Sequence, residues 1–319
     1  MLRRENDLTW FMLHDRSSGT RWLAARAPIQ RPATCQRLER DFHLHRDPAW
    51  AIASVAFIRS AEGPLLVYPA TGTPLIDLID DTGLPLERFL AIATAAATAM
   101  AGAQKAGVRH ASLLPHHLVV EAAGSVRLLG LHSHAAEAPS DELPSLEQWP
   151  YLAPEQVRRD AASFDARSDT YALTAILYQA LTGRLPLTGR DPSHWLHVHA
   201  AVQPQSPAIH VTDLPEGLCR VLLKGLAKDP GARYQSAASM AADLAWCQQQ
   251  WLEHERIDAF RLGAFDALPS MTRSDVLFGR DTERTQLVEQ ISQVRSDGIA
   301  RVLLVGGAPG AGKSTLIHQ

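Results

Sequence analysis

The sequence predicts an α+β body of two lobes, a small strand-rich one and then a larger helical one, followed by the truncated start of an α/β domain. Three observations predict this. Residues 9–70 read as short apolar runs separated by turn residues, with one helix-like stretch among them. From about Leu86 alanine-rich and amphipathic segments of helical length take over. The last nineteen residues, RVLLVGGAPGAGKSTLIHQ, are an apolar strand running into a glycine-rich turn.

In chain order, Asp15-Arg16-Ser17-Ser18-Gly19 lies between two apolar runs and predicts a hairpin turn. Pro32 to His45 predicts a helix. Phe89 to Ala106 is apolar nearly all round, which predicts a buried helix. Asp169 to Leu181 is a second such segment, stopped by Gly183 and Pro186. From Ser236, Met240, Leu244, Cys247 and Trp251 recur at helical spacing and predict a core-facing stripe. These elements give a small lobe over residues 1–85, a large lobe over 86–254, a linker over 255–275 and a further domain beginning at 276. That last part holds a helix, Asp281 to Val294, and a strand, Val302 to Val305.

Gly307 to Ser314 fits GxxxxGK[ST], with a strand before it and a helix start after it, the context a phosphate-binding loop requires. Gly307, Gly310 and Gly312 let backbone N–H groups turn inward around phosphate oxygens. Lys313 is expected to reach the β- and γ-phosphates of ATP and Ser314 to ligate Mg²⁺, with Thr315 beside it at the positive end of the helix. A complete site also needs a second, carboxylate-bearing strand. Gln319 comes before any such strand, so the chain is expected to be a fragment that cannot hydrolyse nucleotide with this motif alone.

A formal charge of -3 argues against a general nucleic-acid partner. No run of eighteen apolar residues occurs and MLRRENDLTW has no hydrophobic signal core, so neither a membrane span nor a signal peptide is expected. Cys35, Cys219 and Cys247 lack metal spacing and read as buried thiols of a cytoplasmic protein. The pairs His116/His117, His132/His134 and His197/His199 have no Cys or carboxylate cluster beside them, so no metal site is assigned. Trp149 and Trp195 read as buried or partly buried aromatics rather than a binding patch.

The stretch GVRHASLLPHHLVVEAAGSVRLLGLHS from Gly107, YLAPEQ at Tyr151–Gln156, DARSDTYALTAILYQALTGRLPL and LLKGLAKDPGARYQSAASMAADL follow one another in the order and spacing of a protein-kinase large lobe. The chain resembles serine/threonine protein kinases over about Trp10 to Leu252, most clearly after Gly107. The resemblance implies a two-lobe kinase-like fold, and it also implies that the chemistry has gone. The catalytic-loop Asp is replaced by Ser112 and the Mg²⁺-binding Asn by His117; Gly130 stands where the metal-binding Asp of the next motif would be. NDLTWFMLHDRSSGTRW holds no glycine-rich loop. The phosphate-binding Lys aligns near Ala25, with Arg26 as a possible stand-in, and Asp41 lies at the helix Glu position. Residues with architectural roles remain: His110, Glu155, Asp169 and Arg233, of which Glu155 and Arg233 are expected to pair. This is the pattern of a pseudokinase, because losing one electrostatic element of such a site costs on the order of 3–4 kcal/mol and here several are lost together.

LFGRDTE ahead of helix 281–294, and the P-loop after it, resemble the junction in bacterial signalling proteins that fuse a kinase-like domain to an AAA-type ATPase. In such proteins a sensor histidine kinase or a transcriptional regulator often follows. The resemblance implies a regulatory or docking pseudokinase whose partners are the downstream ATPase and signalling domains of its own polypeptide. Two alternatives stay open: an active kinase recruiting Ser112, His117 and Arg26, and a purely structural cap of the ATPase.

Overall fold

In a computed structural model the chain divides into two compact units, Met1–Ala267 and Leu268–Gln319. The structure describes residues 3–5, 8–43, 47–130, 144, 147–158, 165–264 and 266, all in the first unit. The whole expected P-loop domain, with Gly307, Gly310, Gly312, Lys313, Ser314 and Thr315, lies outside the described residues, as do His132 and His134.

The small lobe is a five-stranded antiparallel sheet of β1 (Arg3–Glu5), β2 (Leu8–His14), β3 (Arg21–Arg26), β4 (Ala56–Ile58) and β5 (Leu65–Pro69), ordered β1-β2-β3-β5-β4. The β2–β3 turn forms where expected. The Asp15 carboxylate accepts hydrogen bonds from the Ser17 N–H (2.9 Å) and the Ser18 hydroxyl (2.6 Å), and Gly19 takes φ 71°. Helix α1 (Pro32–His43) follows β3 and buries Leu38 against the sheet. In register, Trp10 faces Ala25, which faces Leu66, so one sheet face carries all three toward the second lobe.

Residues 73–85 pack with the large lobe, although the sequence suggested a small lobe reaching to 85. β6 (Thr73–Pro74) pairs with β7 (Leu118–Val120), which pairs with β8 (Val126–Leu128), and Leu75 and Leu84 are buried in the larger core. The apolar side chains of this connection decide its allegiance, and they point at helices. The core is built on α2 (Leu86–Lys105), α4 (Ala166–Thr182), α6 (Glu216–Gly225) and α7 (Ala237–His254), with α3 (Pro154–Val157) and α5 (Pro192–Ala201) at its margin.

Sequence dictates the ends of these helices. The Asp165 side chain caps α4 through the Arg167 N–H, Gly183 closes it in the left-handed region, and Ser236 caps α7 through the Ser239 N–H. Gly225 lets α6 approach α4: a Cβ there would stand 2.3 Å from Thr174 Oγ1. Met240, Leu244 and Cys247 are fully buried, as their spacing predicts. Trp149 and Trp195 are buried too, in a satellite cluster with Leu152, Val157, Leu187 and Val198. The expected linker begins as packed chain: Ile257 is buried and Phe260 lies on Trp246, so the body extends past His254 to at least Asp266.

His199 on α5 is wholly buried, stacked on Trp195, with Nε2 2.7 Å from the Trp149 carbonyl. Burial, helped by the Lys228 charge, lowers its pKa to about 4. The unfolded imidazole, at 6.5, binds a proton that the folded one refuses, so its contribution is complete above pH 6.5 and is lost as pH falls toward 4, about 3 kcal/mol in all. Asp169 acts in the opposite sense. Burial raises it to about 6, so its contribution is complete below its ordinary 3.8 and is lost as pH rises through 6. Over pH 4–6 the two nearly offset each other. His199→Gln removes one of them, so this variant's melting temperature should fall relative to the parent's as pH rises from 4 to 6; a profile parallel to the parent's refutes the assignment.

Candidate functional site: the interlobe cleft

The loop after α2 is held by its backbone. Asp169, in the first turn of α4, accepts the His110 N–H at Oδ2 and the Ala111 N–H at Oδ1, each at 2.7 Å. The His110 ring nitrogen Nε2 lies 3.1 Å from the Leu129 carbonyl. Between them Ala111 adopts φ 61°, a left-handed conformation that costs an alanine on the order of 1 kcal/mol and persists because Asp169 and Gln156 fix both of its peptide groups. Gln156 donates to the Ala111 carbonyl at 2.8 Å, and Gln148 donates to the Ser112 hydroxyl at 2.6 Å. The loop is therefore clamped by residues 148–156.

Below it sits the expected ion pair. Glu155 and Arg233 are both buried, joined by two parallel bonds of 2.7 and 2.8 Å. Arg233 also donates to the carbonyls of Ala227, Lys228 and Arg167, so all five of its N–H groups are used, and its guanidinium lies over the Tyr171 ring. Ser168 donates to Glu155 at 2.7 Å. Burial alone pushes the Glu155 carboxyl up; Arg233 and Ser168 more than reverse this and hold it below its ordinary value.

The cleft between the lobes contains the positions that the resemblance matches to a kinase's working charges. Ala25 faces into it and is buried with Trp10, Leu66, Val119 and Leu129, in an apolar cluster drawn from both lobes. Asp41 is buried on α1. His117 is fully buried, accepts the Leu114 N–H at Nδ1 (3.1 Å), and packs its ring 4.6 Å from His110 and 4.4 Å from His116. Gly130 has φ 72°, and a Cβ there would lie 3.3 Å from His117 Cδ2 and 3.9 Å from Trp10 Cζ2. The imidazole and the indole thus line the place where a metal-binding carboxylate would project.

One expectation is corrected. Arg26 is no stand-in for the lysine, because consecutive strand residues face opposite ways and Ala25 takes the cleft side. Arg26 points to the other face, pairs with Glu62 and lies over the Phe11 ring at 4.6 Å. Sequence reasoning missed Trp10, Gln148 and Gln156. The first could have been found by pairing the β2 and β3 patterns through their short turn, and Gln156 from its place at the end of YLAPEQ; Gln148 carries no local signal. No group of His, Cys, Asp or Glu able to hold a metal occurs among the described residues, and no described helix is long and apolar enough to cross a membrane.

No family model matches the chain. It is similar to the serine/threonine-protein kinase PknB of Mycobacterium tuberculosis, 34% identical over 208 residues, covering 61% of this chain and 33% of that protein. It is also similar to the hybrid signal transduction histidine kinase G of Dictyostelium discoideum, 31% identical over 189 residues, covering 53% of this chain and 6% of that one. The chain thus spans about a third of the length of the mycobacterial relatives it matches. Among solved structures, Rad53 1-466 in complex with AMP-PNP superposes with a TM-score of 0.59 at 17% identity, covering 75% of this chain and 62% of that one, a likeness of fold. The strand-rich lobe followed by the helical lobe agrees with these likenesses: the first unit has a protein-kinase-like fold.

Proposed function

We propose that this domain is a pseudokinase that regulates or docks onto a downstream AAA-type ATPase of the same polypeptide in bacterial signal transduction. The observation that carries the reading is the packing of Trp10 and His117 around Gly130, with Ala25 on the same apolar face. Phosphoryl transfer is almost entirely positioning and charge stabilisation. Here the lysine, base and metal-ligand positions hold Ala25, Ser112, His117 and Gly130, and none of these side chains supplies a carboxylate or an amine. The fusion to an ATPase rests on LFGRDTE and the Gly307–Ser314 motif. If that ATPase is complete in the whole protein, Lys313 and Ser314 would hold ATP and Mg²⁺ there.

A second reading, an active serine/threonine kinase with a non-standard site, is favoured by the names of the mycobacterial relatives. A thermal-shift titration of the full chain carrying Lys313→Ala separates the two, since a ligand of the native state raises its melting temperature. The pseudokinase reading expects no Mg²⁺-dependent rise with ATP and no phosphate transfer to a Ser/Thr peptide. A Mg²⁺-dependent rise accompanied by transfer would establish the active kinase.

A further inference from the structure

Helix α7 ends with Glu255 in the left-handed region, its N–H bonded to the Trp251 carbonyl, and the chain then turns back on itself. Ile257 is buried against Gly217, where a Cβ would stand 3.2 Å from Ile257 Cγ2 and from the Asp258 carbonyl oxygen. The Phe260 ring lies 4.2 Å from that of Trp246. Gly263 donates its N–H to Asp243 Oδ2 at 2.8 Å. Asp266 accepts the Gln235 N–H at 2.9 Å and pairs with Lys224 Nζ at 2.8 Å. The anchors on and just before α7 therefore run 251, 246, 243, 235, with Gly217 and Lys224 of α6 alongside, and the segment retraces α7 from its last turn to the residue before its N-cap.

At that end it meets a polar chain. Gln235 Oε1 accepts from Arg167 Nη1 at 3.2 Å, and the Arg167 side chain donates three bonds, 3.0, 2.9 and 2.6 Å, to Asp165, the residue that caps α4. The Arg167 carbonyl in turn accepts from Arg233 at 3.3 Å. The last described residue, Asp266, stands one residue before the first compact unit ends at Ala267.

We propose that residues 256–264 and 266 form a releasable strap that couples the N-cap of α4 and the Glu155–Arg233 pair to the chain leaving the domain. Docked, the strap holds Asp266 beside Gln235. Released, it lets Asp266 move away along α7. Its polar residues Arg256, Asp258 and Arg261 are exposed, its apolar residues Ile257, Phe260 and Leu262 pack on the core, and one ionic latch closes its far end. Its use in control rests on the regulatory reading above, whereas its coupling to α4 does not.

Hydrogen exchange on the full chain tests the coupling. Asp266→Asn should raise exchange at the Gln235 and Gly263 amides by at least about tenfold, and at the Arg167 and Ser168 amides by a smaller factor, while the α2 amides stay unchanged. In Asp266→Asn combined with Gln235→Ala, the strap amides should still loosen, with no added effect at Arg167 beyond that of Gln235→Ala alone. Unchanged exchange at Gly263, or an equal rise through α2, would overturn the strap. Loosening of the strap without any response at Arg167 would overturn the coupling. None of these outcomes depends on whether the domain binds ATP, so failure here and failure of the pseudokinase reading are distinguishable.

Discussion

Arg233→Met should lower the stability of the domain by about 3–5 kcal/mol, because it leaves the Glu155 carboxylate buried with Ser168 as its remaining side-chain donor. The substitution also removes donors to the carbonyls of Ala227, Lys228 and Arg167. Methionine matches the volume of the aliphatic stem, so the loss reads charge and hydrogen bonding more than packing. Chemical denaturation followed by circular dichroism checks it. The double variant Glu155→Leu/Arg233→Met should recover part of the loss, since a buried pair replaced whole by apolar groups is far less costly than one broken on one side. A loss under about 1 kcal/mol for the single variant would place the pair among ordinary surface ion pairs.

Trp10→Ala should cost about 3–5 kcal/mol as well, through a different cause. The indole is almost fully buried within the cluster that joins β2 and β3 to Val119 and Leu129, and its removal leaves an apolar hole between the lobes. Such a hole admits a small apolar guest. Indole added to the variant should therefore restore part of the lost melting temperature and leave the parent unaffected. A variant that melts like the parent would show that the ring does not fill the cleft.

The large lobe was legible because its signals are local. Met240, Leu244 and Cys247 share one helix face, Gly183 ends α4, and His110, Glu155, Asp169 and Arg233 sit inside short motifs whose order carried the fold. The small lobe was read less well because strand register is not written in any one segment. Ala25 faces the cleft, and offering Arg26 as a substitute overlooked that a one-residue step turns a side chain to the opposite side of the sheet. Trp10 was invisible for the same reason. The segment after His254 was taken for linker, and only the structure reveals that Ile257, Phe260 and Asp266 each find a place on the helices behind them.

The packing around Gly130 acts as a ratchet on mutation. An aspartate at this position would need a left-handed backbone and would crowd the His117 ring, and a lysine at Ala25 would bring an ammonium group into the cluster around Trp10. Neither change alone creates a working site, and each alone carries a folding cost. Each such change is therefore opposed by the same contacts that keep the two lobes joined, and the indole is the first group that would have to move.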